Sequence, residues 1–312
     1  MLTKTRLNEV FKTAPIVPFD DNSKFVFFSD VHRGDNSLSD DFGRNRHIYY
    51  YALDYYYESG FTYFEVGDGD EMWENPIYEH ITNAHPAIFD QLKNFHKANR
   101  MYMLYGNHNM ILHDPEYVRN NLAETFNDDS EQYEPLFPGL KVYEGLKLVN
   151  TKTDQEIFVV HGHQGDLMND QLWRISFILI RYFWRFMHIM GVNYAASPAK
   201  NKRVRHNLEK AYNKWIAEHR MVSLICGHTH RARFPGKGDY SYFNTGCCMH
   251  PRGITCIELK EGEIMLVTWH MHTRKDGLLY IKRTVVKGPV PVVHFMRCND
   301  GSDKNYKRSK ER

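Results

Sequence analysis

Five short apolar runs in this sequence end on side chains able to ligate a metal. Phe25 to Phe28 leads through Ser29 to Asp30 and His32, Tyr63 to Val66 leads to Gly67 and Asp68, and Met101 to Tyr105 leads to Gly106, Asn107 and His108. Ile157 to Val160 leads to His161, and Val222 to Cys226 leads to Gly227, His228 and His230. Singly, each is ordinary: Gly-Asp and Gly-Asn are common turn dipeptides, and a lone histidine is usually a surface or hydrogen-bonded core group. Five in this order, each at the end of a run, point to one chemistry. Two divalent cations held close together need a bridging carboxylate, further carboxylate, amide-oxygen and imidazole ligands, and open positions for substrate. Asp, Asn and His satisfy borderline-hard ions such as Mn, Fe or Zn.

The elements that must position these residues follow from the pattern around them. Runs of four to six residues rich in Val, Ile, Phe and Tyr read as strands, and helix-length segments at Arg46 to Ser59 and Ala87 to Asn99 separate the first three. This alternation predicts an α/β sheet whose carboxyl ends face one crevice, where such sheets place ligands. After His230 the chain turns β-rich again, with Tyr240 to Phe243, Ile254 to Leu259 and Ile264 to Trp269 completing a second sheet.

Composition bounds the class. A chain of 312 residues, 42% hydrophobic and 14% aromatic, can bury a substantial core, which excludes a disordered chain and a disulfide-dependent mini-fold. With 40 Lys+Arg against 38 Asp+Glu the net charge is +2, so attraction to polyanions must be local. Five scattered cysteines without a Cys-x-x-Cys pair predict free thiols in a reducing compartment and argue against a zinc-finger site. Met1 to Asp21 has no apolar signal segment, and Arg181, Arg185 and His188 interrupt the apolar stretch Ile175 to Val192 before it could span a bilayer. These features predict a cytoplasmic protein.

As an ordered set, Asp30-Val31-His32, Gly67-Asp68-Gly69-Asp70-Glu71, Gly106-Asn107-His108-Asn109, His161-Gly162-His163 and Gly227-His228-Thr229-His230 resemble the five motifs of calcineurin-like metallophosphoesterases. The resemblance implies a four-layer sandwich of two mixed β-sheets flanked by helices, here spanning residues 24–285. It implies that Asp30, His32, Asp68 and His230 hold one divalent ion and Asp68, Asn107, His161 and His228 the other, with Asp68 as bridge. A hydroxide between the two ions would attack phosphorus in line. His108 matches the family histidine that contacts the scissile phosphate and protonates the leaving oxygen, and Glu71 matches the carboxylate that orients it. His163 is the alternative to His161 as ligand; His161, directly after its strand, is favoured. Asn109 departs from the acidic residue usual at its position. Arg33, His250 and Arg252 are candidate contacts to substrate phosphate.

Between the last two motifs lies an insertion, residues 164–220. Its segment 171–220 carries ten basic and two acidic residues, a local charge of +8 that leaves −6 for the rest of the chain. Such charge beside the crevice attracts an anionic, phosphorylated substrate. Over Leu172 to Val192, Arg174, Arg181 and Arg185 share a helical seam while aromatic and aliphatic residues cover the remaining circumference. That helix is either packed on the catalytic domain or a dimer partner, or it caps an amphiphilic substrate, or it lies on a lipid surface through 171–192. A helical insertion at this point resembles the UDP-2,3-diacylglucosamine pyrophosphohydrolase branch of the family, which has arginine where this chain has His108. Nucleotide-linked and amphiphilic phosphomonoesters, phosphodiesters and pyrophosphates are the expected substrates. A phosphoprotein phosphatase of the Ser/Thr type, a nuclease, or a non-catalytic metal-binding scaffold are the alternatives. The basic tail 299–312 reads as solvated, with weak affinity for anionic surfaces.

Overall fold

The computed structural model describes residues 2–179, 201–219 and 222–297. One sheet runs in the order β1 (Ile16–Phe19), β8 (Gly145–Asn150), β9 (Glu156–Val160), β10 (Val222–Cys226) and β11 (Tyr242–Asn244). The other runs β14 (Leu279–Pro291), β13 (Glu263–Thr273), β12 (Ile254–Lys260), β2 (Lys24–Phe28), β3 (Thr62–Val66), β4 (Met101–Leu104) and β7 (Val142–Tyr143). A small hairpin, β5 (Glu124–Asn127) and β6 (Gln132–Pro135), stands apart. The helices are α1 (Leu2–Thr13), α2 (Arg46–Glu58), α3 (Tyr78–Ala84), α4 (Pro86–Lys97), α5 (Pro115–Asn121), α6 (Trp173–Leu179), α7 (Lys202–Glu218) and α8 (Val293–Arg297).

The period of two along each strand builds the layers. In β2, Phe25 and Phe27 face the opposite sheet, joining Phe64, Leu104, Leu146, Leu148, Ile157, Val159 and Ile225 in a core between the sheets. Val26 and Phe28 point the other way, onto Tyr49, Leu53 and Tyr56 of α2 and Leu92 and Phe95 of α4. On the far side, Phe158, Val160 and Leu224 meet Leu7 and Val10 of α1 and Tyr212, Trp215 and Ile216 of α7. Because the central strands are buried on both faces, they read as unbroken apolar runs. The result is helix, sheet, sheet, helix.

The fold extends past residues 24–285 at both ends. Helix α1 buries Leu7 and Val10 under the five-stranded sheet, and β1 pairs parallel with β8, from Ile16 opposite Lys147 to Phe19 opposite Asn150. At the other end β14 runs to Pro291, and Phe295 of α8 joins the core between the sheets. In the insertion only residues 164–179, 201–219 are described, so Arg181, Arg185 and most of the apolar stretch, like the tail 299–312, lie outside the described residues. Among the described residues no helix is long and apolar enough to cross a membrane. Cys226, Cys247, Cys248 and Cys256 are buried free thiols.

Strands β2, β3 and β4 run parallel, as do β9 and β10, so Asp30, Asp68, Asn107, His161 and His228 follow carboxyl ends. Beneath the β2 and β3 ends lies a buried charge network centred on Arg33. Its Nε donates to Asp70 Oδ1 at 2.7 Å and its Nη2 to Glu65 Oε1 at 2.9 Å, with Nη1 2.8 Å from Glu65 Oε2. Arg33 and both carboxylates are completely buried. Arg33, expected from the sequence as a phosphate contact, has no exposed surface: the two acids hold it under the strand ends. Removing one partner of such a network leaves uncompensated buried charge. Arg33→Met is expected to lower the unfolding free energy by about 3–5 kcal/mol in urea denaturation; a loss below about 1 kcal/mol would show that the network carries little of the fold.

Candidate metal centre

Where the strands end, the backbone turns in a conformation that side-chain-bearing residues avoid. Asp30, His32, Asp68, His228 and His230 have φ of 50°, 53°, 51°, 65° and 52°, and they make up half of the ten described non-glycine residues with positive φ. Each such residue costs roughly 1 kcal/mol or more, and this strain persists because hydrogen bonds over-determine it. Asp30 N–H donates to Gly67 O at 3.1 Å and His32 N–H to Asp68 O at 2.9 Å, tying the β2 turn to the β3 turn. Gly227 N–H donates to His161 O at 2.9 Å, which ties β9 to β10. Two glycines let these turns close: a Cβ at Gly106 would collide with the Asp68 carboxylate, and one at Gly227 with Ser29 and the Asp30 carboxylate.

The turns gather the side chains into two groups. Ligand atoms of Asp30, His32 and His230 lie within 4.8 Å of one another, as do those of Asp68, His161 and His228. Asp68 Oδ2 stands 3.1 Å from His161 Nε2 and 3.8 Å from His32 Nε2, between the groups. His230 Nε2 is 3.1 Å from Asp30 Oδ1. A third grouping joins His32, Glu71 and His108.

The set fits divalent cations by its unmet donors. His32 Nε2 and Asn107 Oδ1 are buried with no hydrogen-bond partner, and His161 Nε2 lies 3.1 Å from the Asp68 carboxylate. The tautomers are set from behind: His161 Nδ1–H donates to Val66 O at 2.9 Å and His32 Nδ1–H to Glu71 Oε2 at 2.7 Å. Each imidazole is thereby left with Nε2 turned toward Asp68, the arrangement by which outer groups orient metal-ligating histidines. Burial alone would push these carboxyls up, yet His230 and His161 hold Asp30 at about 2, and His161 and His108 hold Asp68 well below its ordinary value. The cluster is thus anionic at Asp30 and Asp68 whenever cations could bind.

His108 sits at the edge of this cluster and is partly exposed. Its backbone N–H donates to Asp68 Oδ1 at 2.8 Å, and its Nδ1–H donates to Glu71 Oε1 at 2.9 Å. Burial opposes its charge, but Glu71 and Asp68 raise its pKa to about 9, while burial of Glu71 is overcome by His108 and His32, which bring that acid to about 2. The ring stacks on Trp73, centroids 4.2 Å apart and planes at 23°, and meets the edge of His32 at 4.5 Å. An apolar cavity of about 380 Å³ opens beside it, lined by Trp73, Met110, Ile111, Tyr117 and, from α6, Trp173, Phe177 and Ile178.

The structure thus brings Asp30, His32, Asp68, Asn107, His161, His228, His230, His108 and Glu71 to one end of the sandwich. It does not bring His163 into either group: that ring is fully buried, contacts His161 and His228 at 5.4 and 6.4 Å between centroids, and has no hydrogen bond at either nitrogen. Burial and the neighbouring imidazoles keep it neutral. His250 and Arg252 are exposed and engage each other's loop, the Arg252 N–H donating to His250 Nδ1 at 3.2 Å, while Arg33 is the buried cation already described. Three groups near the centre carried no signal in the sequence reading. Trp73 stacks on His108, Asp166 Oδ2 lies 3.4 Å from His228 Nε2, and Ser29 links the Asp30 carboxylate to Thr245 Oγ1. Each sits within a few residues of a motif, but only the folded turns show which way it points.

Comparison with protein-family models and with curated proteins finds no match. Among solved structures, a mutant cold-active protein tyrosine phosphatase is similar with a TM-score of 0.38 and 10% identity, over 88% of this chain and 83% of that one. The cold-active protein-tyrosine phosphatase of the psychrophile Shewanella sp. is similar with a TM-score of 0.35 and 11% identity, over the same shares of 88% and 83%. A likeness of this size carries no argument about activity; the chemistry rests on the site's own residues.

Without a cation, His161 keeps its proton well into the alkaline range: burial disfavours the charge, but Asp68 and Asp30 raise the pKa to about 9. A cation held by this ring must displace that proton. Cation affinity is therefore expected to climb as pH rises from about 6.5 toward about 9, with protons released at neutral pH. Calorimetric titration of the metal-free protein with Mn in buffers of different ionisation enthalpy reads this directly. Affinity flat across that window would show that His161 carries no proton to lose.

Proposed function

We propose that this chain is a dinuclear metallophosphoesterase of calcineurin-like type, hydrolysing a phosphoric ester or anhydride. The observation that carries the reading is the pair of ligand groups Asp30–His32–His230 and Asp68–His161–His228, with Asp68 Oδ2 3.8 Å from His32 Nε2 of the other group and a hydrogen-bonded His108–Glu71 couple at the rim. In this reading Asp30, His32, Asp68 and His230 hold one ion, and Asp68, Asn107, His161 and His228 the other. Divalent ions held by these residues would supply Lewis acidity toward phosphoryl oxygens and would lower the pKa of a nearby water.

The chain's own residues do the rest. Glu71 accepts the Nδ1–H of His108 and keeps the ring protonated at neutral pH, so Nε2 carries a proton that a leaving oxygen needs. Trp73 holds the ring flat and offers its π face to the imidazolium. Glu71 also fixes His32, so one carboxylate sets the angle of a metal ligand and of the acid together. The 380 Å³ cavity on the His108 side suits an apolar leaving group, which favours an amphiphilic substrate over a polynucleotide. A nucleic-acid groove would need basic residues interleaved with stacking aromatics, and this lining is uncharged apart from His108.

His108→Ala tests the role of the acid. Metal content should stay near that of the parent protein while turnover on alkyl phosphate esters falls by roughly 10²- to 10⁴-fold. The loss should shrink on a nitrophenyl ester, whose leaving group needs no proton. Equal losses on both esters would reject proton donation by His108.

A further inference from the structure

The longest hairpin in the described chain points the same way as the metal centre and carries a surface of its own. Strand β12 runs antiparallel to β2, with Ile257 opposite Phe27, so its start at Ile254 lies at the end of the sheet where Asp30 sits. Strand β13 is antiparallel to β12 in turn and leaves it at Trp269, opposite Ile254. Beyond that point β13 and β14 pair only with each other, from His270 with Lys282 to Thr273 with Leu279. The overhang reaches roughly 13 Å past the sheet, two strand spacings or about 10 Å to the side of β2.

Its composition is that of an interfacial finger. Leu278 and Leu279 near the turn are 59% and 65% exposed, and Met271 is 46% exposed on the face shared with Leu279. The opposite face carries His270, His272, Tyr280 and Lys282, with His272 stacked on Tyr280 at 5.3 Å and 12°. Residues 270–287 hold Arg274, Lys275, Lys282, Arg283 and Lys287 against the single acid Asp276. Of these, Arg283 is committed inward to Glu258, at 2.8 and 2.6 Å. The others are exposed.

We propose that this overhang docks the protein on an anionic lipid surface, with Leu278 and Leu279 entering the acyl boundary, Tyr280 at headgroup level, and Arg274, Lys275 and Lys282 against the lipid phosphates. The charge is complementary to anionic headgroups, and the combination of exposed aliphatic tip, aromatic belt and basic flank is what an interfacial element uses. A second copy of the chain is the competing occupant, since β14 is the sheet's open edge. That edge carries Lys282, Lys287, Pro289 and Pro291, residues that blunt strand-to-strand pairing. Docking would bring the metal centre's end of the sandwich to the membrane. The inference does not depend on the proposed hydrolysis, because its readout is binding.

The test is co-sedimentation of the full chain with vesicles of phosphatidylglycerol and phosphatidylcholine in equal parts, beside vesicles of phosphatidylcholine alone. The parent protein should bind the mixed vesicles, bind the neutral ones weakly, and release with salt. Lys275→Glu with Lys282→Glu should cut binding to mixed vesicles by more than about twentyfold, at about fivefold or more per basic residue. Leu278→Ser with Leu279→Ser should cut it about tenfold or more, and both variants should keep the parent's melting temperature. Three results would overturn the proposal: no binding of the parent to mixed vesicles, variants that bind like the parent, or variants that lose only a self-associated dimer in sedimentation.

Discussion

The carboxylate of Asp30 accepts the backbone N–H of His228 at 2.9 Å, and that contact runs from the end of one sheet to the end of the other. It is one strand of a knot: Cys248 N–H donates to Asp30 O, Thr245 N–H to Cys226 O, and Asn244 Nδ2 to Gly227 O. The sandwich core between the sheets could tolerate a small slide of one layer on the other, as apolar contacts are not directional. Hydrogen bonds at the strand ends remove that freedom. His228 and His230 therefore stand at fixed positions relative to Asp30, His32 and Asp68, although they come from a different sheet and from almost the far side of the sequence.

That fixing is what makes the strained backbone tolerable and useful. Five ligand-type residues hold left-handed conformations, at a combined cost of several kcal/mol. The same turns present two carboxylates and several imidazole nitrogens to one small volume and are tied together there by hydrogen bonds. A site assembled in this way needs little rearrangement when a cation arrives, and the proposed chemistry depends on such preorganisation. Glu71 extends the logic by one residue, since its two oxygens orient His32 and His108 at once. Any displacement of Glu71 would therefore move both His32 and His108.

Much of this was legible from residue types. Apolar runs closing on Asp, Asn or His marked β2, β3, β4, β9 and β10, and the ordered set of motifs placed the candidate ligands at their ends. What escaped has physical reasons. Arg33 follows a motif histidine and reads as a substrate contact; its buried partners Glu65 and Asp70 stand 32 and 37 residues away, one of them an acid inside a strand. The strand Ile-Val-Pro-Phe of β1 contains a proline and sits at the edge of its sheet, where a missing N–H is harmless, so it carries little strand signal. Strand β14 alternates weakly because both its faces meet solvent over the overhang. Trp73 and Asp166 acquire their places only through the turns, since positive φ at Asp, His and Asn residues leaves no mark in the sequence.

In the proposed centre Asp68 stands between two ions. The measurement that tests it most directly is metal content per chain after dialysis against Mn, for the parent protein and for Asp68→Asn. The parent should retain two ions per chain. Asp68→Asn, of nearly equal volume but without the charge, should lose most of both, with its fold intact by circular dichroism. Two full ions in Asp68→Asn, or a single ion in the parent protein, would contradict the dinuclear centre proposed.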